Sequence, residues 1–544
     1  MGETHDRATQ ALEAAARGRF EPASALLGEL GGAGDPVARA WAEAIASERR
    51  LAGLDASPPA DAEAVAALGG TGAGATDAAS EALVRIAREH LLAIDVGRAA
   101  SAVAHAWRLE PRSEATRLAV ELGDVLVRVA GGEHDGMEQP AQRVGREASA
   151  RGIAPLVVDA TSVRALAALT RDDLVEATAT ARRASRMART ESLPQQEYLA
   201  NVVLARVRRR TGSPHLALRI LAALSRVAPR PWHPWLAWEL SMAGGAERGE
   251  GLLDRDALGP GSPAAELSAA LTAAHEGSRA GWDSAIERLE PRVSGFAPMR
   301  ADAERLVHAI DPLRDPARAP DTVATWRRAE RHEPPDGIDG LVGGLDAEGR
   351  PVDAVAHVIR LPDGSATRVL SPGIGLHPAS EPLLEVVLGH KRQGRPQTAL
   401  PVLALAGTAG LDEPTLFQAV YGFRYVRELH ATVLNVMLHR LRGELPDAVR
   451  LLRDDAGLCL EVDSPIAVPD PRCARRLEDR VLRFLAGHGG SSARDAAKAL
   501  RVPLRSAQAA LEALVGDGAL ERDRVGRRVG YRVEDTTFQE PTSH

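Results

Sequence analysis

Residues 475–533 read RRLEDRVLRFLAGHGGSSARDAAKALRVPLRSAQAALEALVGDGALERDRVGRRVGYRV, and this stretch decides the fold of the C-terminal part of the chain. Its first apolar residues recur at helical spacing and predict a helix over 475–485. The pair Ser491-Ser492 can cap a second, short helix over 493–500. A third helix is predicted over 504–515, after the Pro that follows the second one. Three closely spaced helices predict a small helical module.

A basic hairpin follows these three helices. Residues 519–520 and 531–533 predict two paired strands, and residues 521–530 between them (ERDRVGRRVG) hold four arginines. Three helices closed by such a hairpin resemble the winged helix-turn-helix of transcriptional regulators. The resemblance implies a DNA-binding module over 470–535.

The third helix of a helix-turn-helix lies in the major groove, where side chains near its start reach base edges. Here those residues are Arg505, Ser506 and Gln508, while the leucines are expected to face the core, namely Leu504, Leu511 and Leu514. The hairpin over 519–533 is the wing of the predicted module, and its arginines would meet phosphates or the minor groove. They are Arg524, Arg527 and Arg528.

Charge supports a polyanionic partner for this module. Residues 472–532 contain 14 Lys and Arg against 7 Asp and Glu, a net charge of +7, whereas the whole chain carries −7. The rest of the chain therefore carries about −14, and a basic module on an acidic body is typical of a part that docks on nucleic acid. The alternative is a winged helix that docks a protein, with its arginines as ordinary solvated charge.

A second module is predicted upstream, over 351–466. Strands over 354–359 and 366–370 flank an Asp-Gly turn, helices are expected over 380–388, 413–420 and 428–445, and a further hairpin over 449–462. This order resembles the OmpR/PhoB-type winged-helix output domain. The residues that carry the resemblance are Leu416, Tyr421-Gly422, Tyr425 and the run LHRLR at 438–442.

Two roles remain open for this upstream module. On its third helix, one face is expected to carry the DNA-binding residues Thr432, Asn435, His439 and Arg442. The opposite face is expected to be apolar, with Val433, Val436, Leu438 and Leu441. Residues 363–461 hold 10 basic and 11 acidic side chains, so few cations are available for phosphates. DNA contact and a purely structural or dimer-forming role are both compatible with this balance.

The longer N-terminal part repeats Ala- and Leu-rich amphipathic helices separated by Gly or Pro. Two segments carry similar residues at the same intervals. The first has Ile86-Ala87, Ala99, Val103 and Pro111, and the second has Leu204-Ala205, Ala217, Leu221 and Pro229. A weaker copy covers 12–30. The pattern resembles the tetratricopeptide repeat, and the resemblance implies a solenoid of helical hairpins over 78–330.

The predicted fold class is therefore mainly α, a helical-hairpin (tetratricopeptide-like) solenoid followed by two α+β winged-helix domains. Stretches rich in Pro and Gly mark two linkers. The expected organisation is N-terminal helical hairpins at 1–54, a linker at 55–77, the repeat region at 78–330, a second linker at 331–350, the first winged helix at 351–466, the second at 470–535 and a tail at 536–544.

Trp232, Trp235 and Trp238 form the most aromatic spot in a chain with only 3% aromatic residues. They could line a pocket for an effector or a peptide, or they could fill the core between repeats. The run 69–74 (GGTGAG) lacks the Lys-Ser/Thr ending of a phosphate loop, so a flexible linker is the preferred interpretation.

Other chemistry is not expected. Cys459 and Cys473 are the only cysteines, the histidines do not fall at metal-ligand spacing, and no catalytic constellation stands out, which predicts no enzyme, no metal and no cofactor. The polar start lacks the pattern of a secretory signal, and no apolar run is long enough to span a membrane. These features predict a cytoplasmic protein without membrane contact.

The sequence thus predicts a bacterial transcriptional regulator that binds double-stranded DNA through two winged helices and a protein or peptide partner through its helical repeats. It resembles the large helical-repeat regulators of the maltose-activator and antibiotic-regulator types, but no nucleotide-binding domain matches. Regulators that contact paired half-sites are commonly dimers, so a homodimer is compatible with this interpretation, and the sequence leaves the oligomeric state open. The alternative function is a scaffold whose repeats assemble proteins and whose winged helices dock proteins rather than DNA.

Overall fold

A computed structural model describes most of the chain. The residues it describes are 2–28, 35–70, 74–211, 214–243, 253, 259–312, 314, 343–345, 351–353, 355–377, 381–389, 394–454, 457–473, 477–488, 491–516, 520–525 and 528–533. They fall into two units. The first unit lies within 1–266 and 287–301, and the second within 267–286 and 302–534. The chain is mainly α-helical, with a few small sheets in its C-terminal part.

The first unit is built from helices. They are α1 (Gly2–Ala16), α2 (Phe20–Gly28), α3 (Pro36–Leu51), α4 (Ala62–Gly69), α5 (Ala75–Leu92), α6 (Val96–Arg108), α7 (Glu114–Gly131), α8 (Glu138–Ala150), α9 (Ala154–Thr170), α10 (Leu174–Thr190), α11 (Pro194–Arg210), α12 (Pro214–Val227) and α13 (His233–Met242). Three further helices contribute residues to both units. These are α14 (Pro263–His275), α15 (Arg279–Val293) and α16 (Ala297–Ile310).

Short turns fold these helices into hairpins. After α5 and α9 the chain passes through a residue with positive φ, Ile94 (64°) and Asp172 (59°), which ends each helix. The next residue then caps the following helix. Asp95 accepts a hydrogen bond from the backbone N–H of Arg98 at 3.0 Å, and Asp173 accepts one from Glu176 at the same distance. Consecutive helices consequently pack side by side.

The residues of the two similar segments lie where these helices meet. The apolar ones are all buried, namely Ile86, Ala87, Ala99, Val103, Leu204, Ala205, Ala217 and Leu221. Each pair, α5 with α6 and α11 with α12, packs closely, since small residues let helix backbones approach. The odd-numbered helices α5, α7, α9 and α11 also contact one another in succession. Burial thus accounts for the recurrence of the pattern.

The structure differs from the sequence interpretation in the segment 55–77, which was predicted as a linker. It contains α4, capped by Asp61 through a 3.0 Å hydrogen bond from the N–H of Glu63. The helix packs on α5, and a Cβ at Gly69 would lie 2.7 Å from a methyl carbon of Leu109. Gly69 therefore serves close packing rather than flexibility. Of the second predicted linker, 331–350, only Gly343–Leu345 is described, and the predicted tail at 536–544 lies outside the described residues.

The second unit holds ten short strands and six helices beyond α16 in its described part. The strands are β1 (Gly343–Leu345), β2 (Pro351–Asp353), β3 (Ala356–Arg360), β4 (Ala366–Leu370), β5 (Leu384–Glu385), β6 (Val449–Asp454), β7 (Gly457–Val462), β8 (Ile466–Pro469), β9 (Leu520–Val525) and β10 (Arg528–Val533). The helices are α17 (Arg395–Leu405), α18 (Glu413–Tyr421), α19 (Arg427–Glu444), α20 (Leu477–His488), α21 (Ala493–Ala499) and α22 (Leu504–Gly516).

Four strands form one sheet in the order β4-β3-β8-β5. In sequence, β3, β4 and β5 precede α17, α18 and α19, and β8 follows them. Strand β3 is antiparallel to both of its neighbours, and Val358 faces Arg368 on β4 and Val468 on β8 in register. Leu400, Phe417 and Leu438, one from each helix, belong to one buried core with residues of β3, β7 and β8. The hairpin β6–β7 pairs antiparallel from Val449 to Val462.

The helix predicted over 380–388 is wrong. Described residues 381–389 contain no helix, and Leu384–Glu385 pairs parallel to β8, with the N–H of Val386 donating to the carbonyl of Ala467 at 2.9 Å. Pro382 and the two valines disfavour a helix there, while the sheet offers an unpaired edge. The first of the three helices is instead α17, which sequence reasoning did not assign because Pro396 and Pro401 lie in it.

Candidate nucleic-acid interface

Helix α21 and the turn after it set the position of α22. Ser492 caps α21, and its side chain and that of Asp495 exchange hydrogen bonds with each other's backbone N–H, at 3.3 and 3.1 Å. Arg501 then adopts a positive φ of 52°, which ends α21, and α22 begins at Leu504. The predicted bounds of both helices agree with these to within a residue or two.

Helix α22 has one buried and one exposed face. Ala507, Ala510, Leu511 and Leu514 are buried, whereas Arg505 and Gln508 are exposed and Ser506 is half-buried. Leu504 was expected in the core, but it is 39% exposed, since it lies at the first turn of the helix, beyond the packed stripe. The start of α22 therefore presents a guanidinium and a primary amide to solvent.

Further cations surround the start of α22. Arg494, Lys498 and Arg501 are exposed on α21 and on the turn after it. Like Arg505, they form no ion pair with a residue in the described part of the chain. Cations without an internal partner remain available for an external anion such as a phosphate.

The hairpin β9–β10 is attached to the helices through Tyr531. Its backbone pairs with that of Ser491, and its hydroxyl donates to Glu512 on α22 at 3.2 Å. Burial, followed by the hydrogen bond to Glu512, raises the pKa of Tyr531, so the hydroxyl stays protonated as a donor. Arg522 forms an exposed ion pair with Glu512, and Arg532 forms one with Glu521.

Two of the three predicted wing arginines lie in the paired strands of the hairpin. The backbones of Arg524 and Arg528 lie in the paired strands, opposite Val529 and Val525 respectively. Arg527 lies outside the described residues. The structure thus places two of the three predicted residues on the hairpin.

An aromatic cluster fixes the start of α19 in the upstream module. Tyr421 stacks on Phe417 with a centroid distance of 4.3 Å, and His430 stacks on the same ring at 4.7 Å. Gly422, with a φ of 81°, ends α18, and the hydroxyl of Tyr425 donates to Glu413 at 3.0 Å. The aromatic residues that carry the resemblance to the OmpR/PhoB-type domain therefore orient α19.

The exposed face of α19 is wider and more apolar than predicted. Thr432, Asn435, His439 and Arg442 are all exposed, as expected, and Leu438 and Leu441 are buried. Val433 and Val436 were expected on the buried face and are instead each 46% exposed, because Leu434 and Met437 occupy the core positions next to them. Leu429, one turn earlier, is 70% exposed.

Contacts with the β6–β7 hairpin hold two of the predicted residues of α19. Arg453 donates to the side-chain carbonyl oxygen of Asn435 at 3.2 Å and also pairs with Glu413. Arg442 reaches the carbonyl oxygen of Leu451 at 3.5 Å. Asn435 and Arg442 therefore have internal partners, whereas Thr432 and His439 have none among the described residues.

The three tryptophans lie in the first unit. Trp232 and Trp238 are fully buried and Trp235 is 5% exposed. The indole N–H of Trp232 donates to Gln195 at 3.1 Å, and Trp235 packs edge-on against Phe296. The cavity beside Trp232 and Trp235 has a volume of only about 20 Å³, enough for about one water molecule. This geometry favours the core interpretation over an effector pocket at the tryptophans.

Comparison with known proteins found no matching family model and no matching curated protein. Among the described residues, no helix has both the length and the apolar character needed to cross a membrane. Within the same part of the chain, no three side chains of His, Cys, Asp or Glu lie close enough together to hold a metal ion.

Proposed function

We propose that this protein is a DNA-binding transcriptional regulator. In this proposal the helical hairpins from α5 to α12 form a tetratricopeptide-like solenoid that docks a protein or peptide partner. The two modules around α19 and α22 act as winged helices. The observation that carries the proposal is the start of α22, where Arg505 and Gln508 are exposed and the opposite face is buried.

Side-chain chemistry at α22 supports base contacts in the major groove. Arginine can donate two hydrogen bonds to guanine, and glutamine can pair with adenine through one donor and one acceptor. The cations that precede α22 would each neutralise a phosphate. They are Arg494 and Lys498 on α21 and Arg501 in the turn after it. The net charge of +7 over residues 472–532 supplies the attraction that brings the module to DNA.

The exposed face of α19 supports a second, less electrostatic contact. Val433 and Val436 could pack on thymine methyl groups, with Thr432 beside them as a hydrogen-bonding residue. Because residues 363–461 carry 10 basic and 11 acidic side chains, this module adds little attraction of its own. A chain that holds both modules brings the second one to DNA once the first is bound, which raises its effective concentration.

The test starts with selection of bound sequences from a random duplex library by the full chain. We expect an enriched motif, and affinity for it should fall steeply with salt, with a slope of about −0.9 per neutralised phosphate. Arg505→Ala should weaken binding to the selected site about 10- to 100-fold and relax its preference. Arg501→Ala should weaken all sequences alike and reduce the salt slope by about 1.

Arg98→Ala provides the matched control, because Arg98 is an exposed arginine of the first unit that pairs with Asp95. It should leave both affinity and slope unchanged. If the library shows no enrichment and the full chain retains no duplex even at low salt, the proposal fails.

The competing function is a protein-interaction scaffold. One observation favours it, the exposed aliphatic residues Leu429, Val433 and Val436 on α19, since such a stripe can also pack against a protein helix. Under this alternative, Val436→Asp would abolish capture of a protein partner, and DNA binding by the full chain would be absent or independent of sequence.

A further inference from the structure

The first unit contains one strongly basic segment beside a longer acidic one. Residues 174–230, which include α10, α11 and α12, hold 11 arginines and three glutamates, a net charge of +8, and no lysine or aspartate. Residues 1–173 hold 18 basic and 26 acidic side chains, a net charge of −8. So large a local excess of one sign makes the segment a candidate for binding an anion.

Part of this positive charge is neutralised inside the first unit. Four of the arginines form ion pairs with carboxylates of the same unit, and they are Arg189, Arg206, Arg209 and Arg210. Five others form no ion pair or side-chain hydrogen bond with a residue in the described part of the chain. These are Arg182, Arg183, Arg186, Arg208 and Arg226.

The arginines without an internal partner lie on neighbouring helices. Helix α11 packs against both α10 and α12. The outward arginines of the three helices form one surface, here called the arginine surface, which consists of Arg182, Arg183 and Arg186 on α10, Arg208 on α11, and Arg219 and Arg226 on α12. Helix α12 contains no acidic residue, and the only one of α10, Glu176, pairs with Arg164 at 2.9 Å. These two helices therefore supply no free carboxylate to neutralise the arginine surface.

The middle of the arginine surface holds like charges close together. Arg208 is half-buried, and loss of hydration, followed by the charges of Arg182 and Arg219, lowers its pKa. Its cationic form is therefore held at a cost in free energy. An anion bound beside the guanidinium group would remove that cost, because it supplies the counter-charge that the described residues do not. A perturbed charge of this kind is a mark of a binding site.

We propose that the arginine surface binds an acidic segment, rich in Asp and Glu, of the protein partner that the proposed function assigns to the helical body. Guanidinium groups hold carboxylates through paired hydrogen bonds. A flexible acidic segment can reach the half-buried Arg208 and end where the surface ends. A DNA duplex is stiff and extends further, so it would meet the net negative charge of residues 1–173. The inference rests on the proposed function for the protein partner but not for DNA binding.

The experiment uses a fluorescently labelled decaglutamate peptide as the probe, and a peptide of the same length with alternating Glu and Lys as its neutral counterpart. Fluorescence anisotropy measures binding to the full chain over a series of salt concentrations. We expect saturable binding of decaglutamate that weakens as salt rises, and no binding of the neutral peptide.

Two variants locate the peptide on the arginine surface. Arg208→Gln should weaken decaglutamate about five- to tenfold, since a charge-assisted hydrogen bond at a half-buried site contributes about that factor. It also removes a like charge from the cluster, so the melting temperature should not fall. Arg186→Glu, at an exposed position, adds a carboxylate to the surface without touching the core, and it should weaken decaglutamate at least as much.

Arg146→Gln is the matched control, because Arg146 is an exposed arginine of α8 that also has no ion pair with a described residue. It should leave the affinity for decaglutamate unchanged. The C-terminal module is basic too, so Arg505→Ala is measured alongside and should also leave that affinity unchanged.

The inference is overturned if decaglutamate does not saturate the chain, or if Arg146→Gln or Arg505→Ala weakens it as much as Arg208→Gln does. It is also overturned if Arg208→Gln weakens duplex binding as much as peptide binding, since the partner would then be nucleic acid. If the duplex library shows no enrichment while decaglutamate binding depends on Arg208, DNA regulation fails and the site for an acidic segment stands.

Discussion

Glu239 shows how burial changes the contribution of a single charged side chain to stability. It is fully buried on α13, at 2.5 Å from a guanidinium nitrogen of Arg206 and 2.9 Å from one of Arg209, which are themselves buried on α11. Arg206 also donates to the carbonyl oxygen of Pro298. The carboxylate therefore faces two buried cations. A buried pair of this kind stabilises little in total, but removal of one partner is costly.

We expect Glu239→Gln to lower the free energy of unfolding by about 3–5 kcal/mol, because it removes the negative charge that faces two buried guanidinium groups. Chemical denaturation followed by circular dichroism measures the loss. Glu13→Gln is the control, because Glu13 pairs with Arg17 four residues later on an exposed helix face, and such pairs contribute only about 0–1 kcal/mol. Equal losses in both variants would contradict the argument.

At the scale of elements, the cap of α21 connects local sequence to the candidate interface. Ser492→Ala removes the side chain that accepts from the N–H of Asp495, which should cost about 1 kcal/mol. We expect faster hydrogen exchange at the first turn of α21 and a lower midpoint for the C-terminal helices. Ser491→Ala is the matched control, since only the backbone of Ser491 pairs with Tyr531. If amide hydrogens at the first turn of α21 exchange at the same rate in both variants, the side chain of Ser492 does not stabilise α21.

Elements that depend on local chemistry could be predicted from the sequence. Helix α22 and the hairpin β6–β7 were predicted to within about two residues, since their caps, turns and periodicity lie within them. Strand β5 could not be predicted, because its partner β8 lies far along the chain and no local pattern encodes that pairing. A helix with two prolines, α17, was missed because packing outweighs its poor propensity.

The residues of the candidate site were likewise predicted only in part. Helical periodicity predicted that Arg505 and Gln508 would be exposed, and the structure agrees. Apolarity alone misplaced Val433 and Val436, since the sequence cannot tell which apolar residues the core has room for.

For the whole molecule, the distribution of charge bears on the proposed function. The chain carries −7, and residues 472–532 carry +7. Under the proposed function, the acidic remainder would limit non-specific attraction to nucleic acid, so that attraction would be confined to the basic module. The proposed function then predicts that affinity for DNA depends on salt but not on the length of DNA beyond the contacted site.

Desolvation lowers the pKa of five histidines distributed over both units, the buried His357, the half-buried His90, His134 and His377, and the exposed His275. Their pKa in the unfolded chain is about 6.5, so the unfolded chain binds protons first as the pH falls. The stability that neutral imidazoles provide is therefore present above pH 6.5 and is lost as the pH falls towards the folded pKa. Each such histidine contributes at most about 1.4 kcal/mol per pH unit.

His357 allows this acid sensitivity to be measured one group at a time. It is 7% exposed on β3, where burial outweighs the carbonyl of Val355 and the carboxylate of Glu385, which both favour the charged form. We expect the free energy of unfolding to fall between pH 7.5 and 5.5, and to fall less in His357→Gln. Buried carboxyls with a raised pKa, such as that of Glu89, act in the opposite direction but cancel in the comparison of variant and parent. If His357→Gln keeps the pH dependence of the parent, burial does not hold His357 neutral, because a group that titrates alike in both states adds no slope.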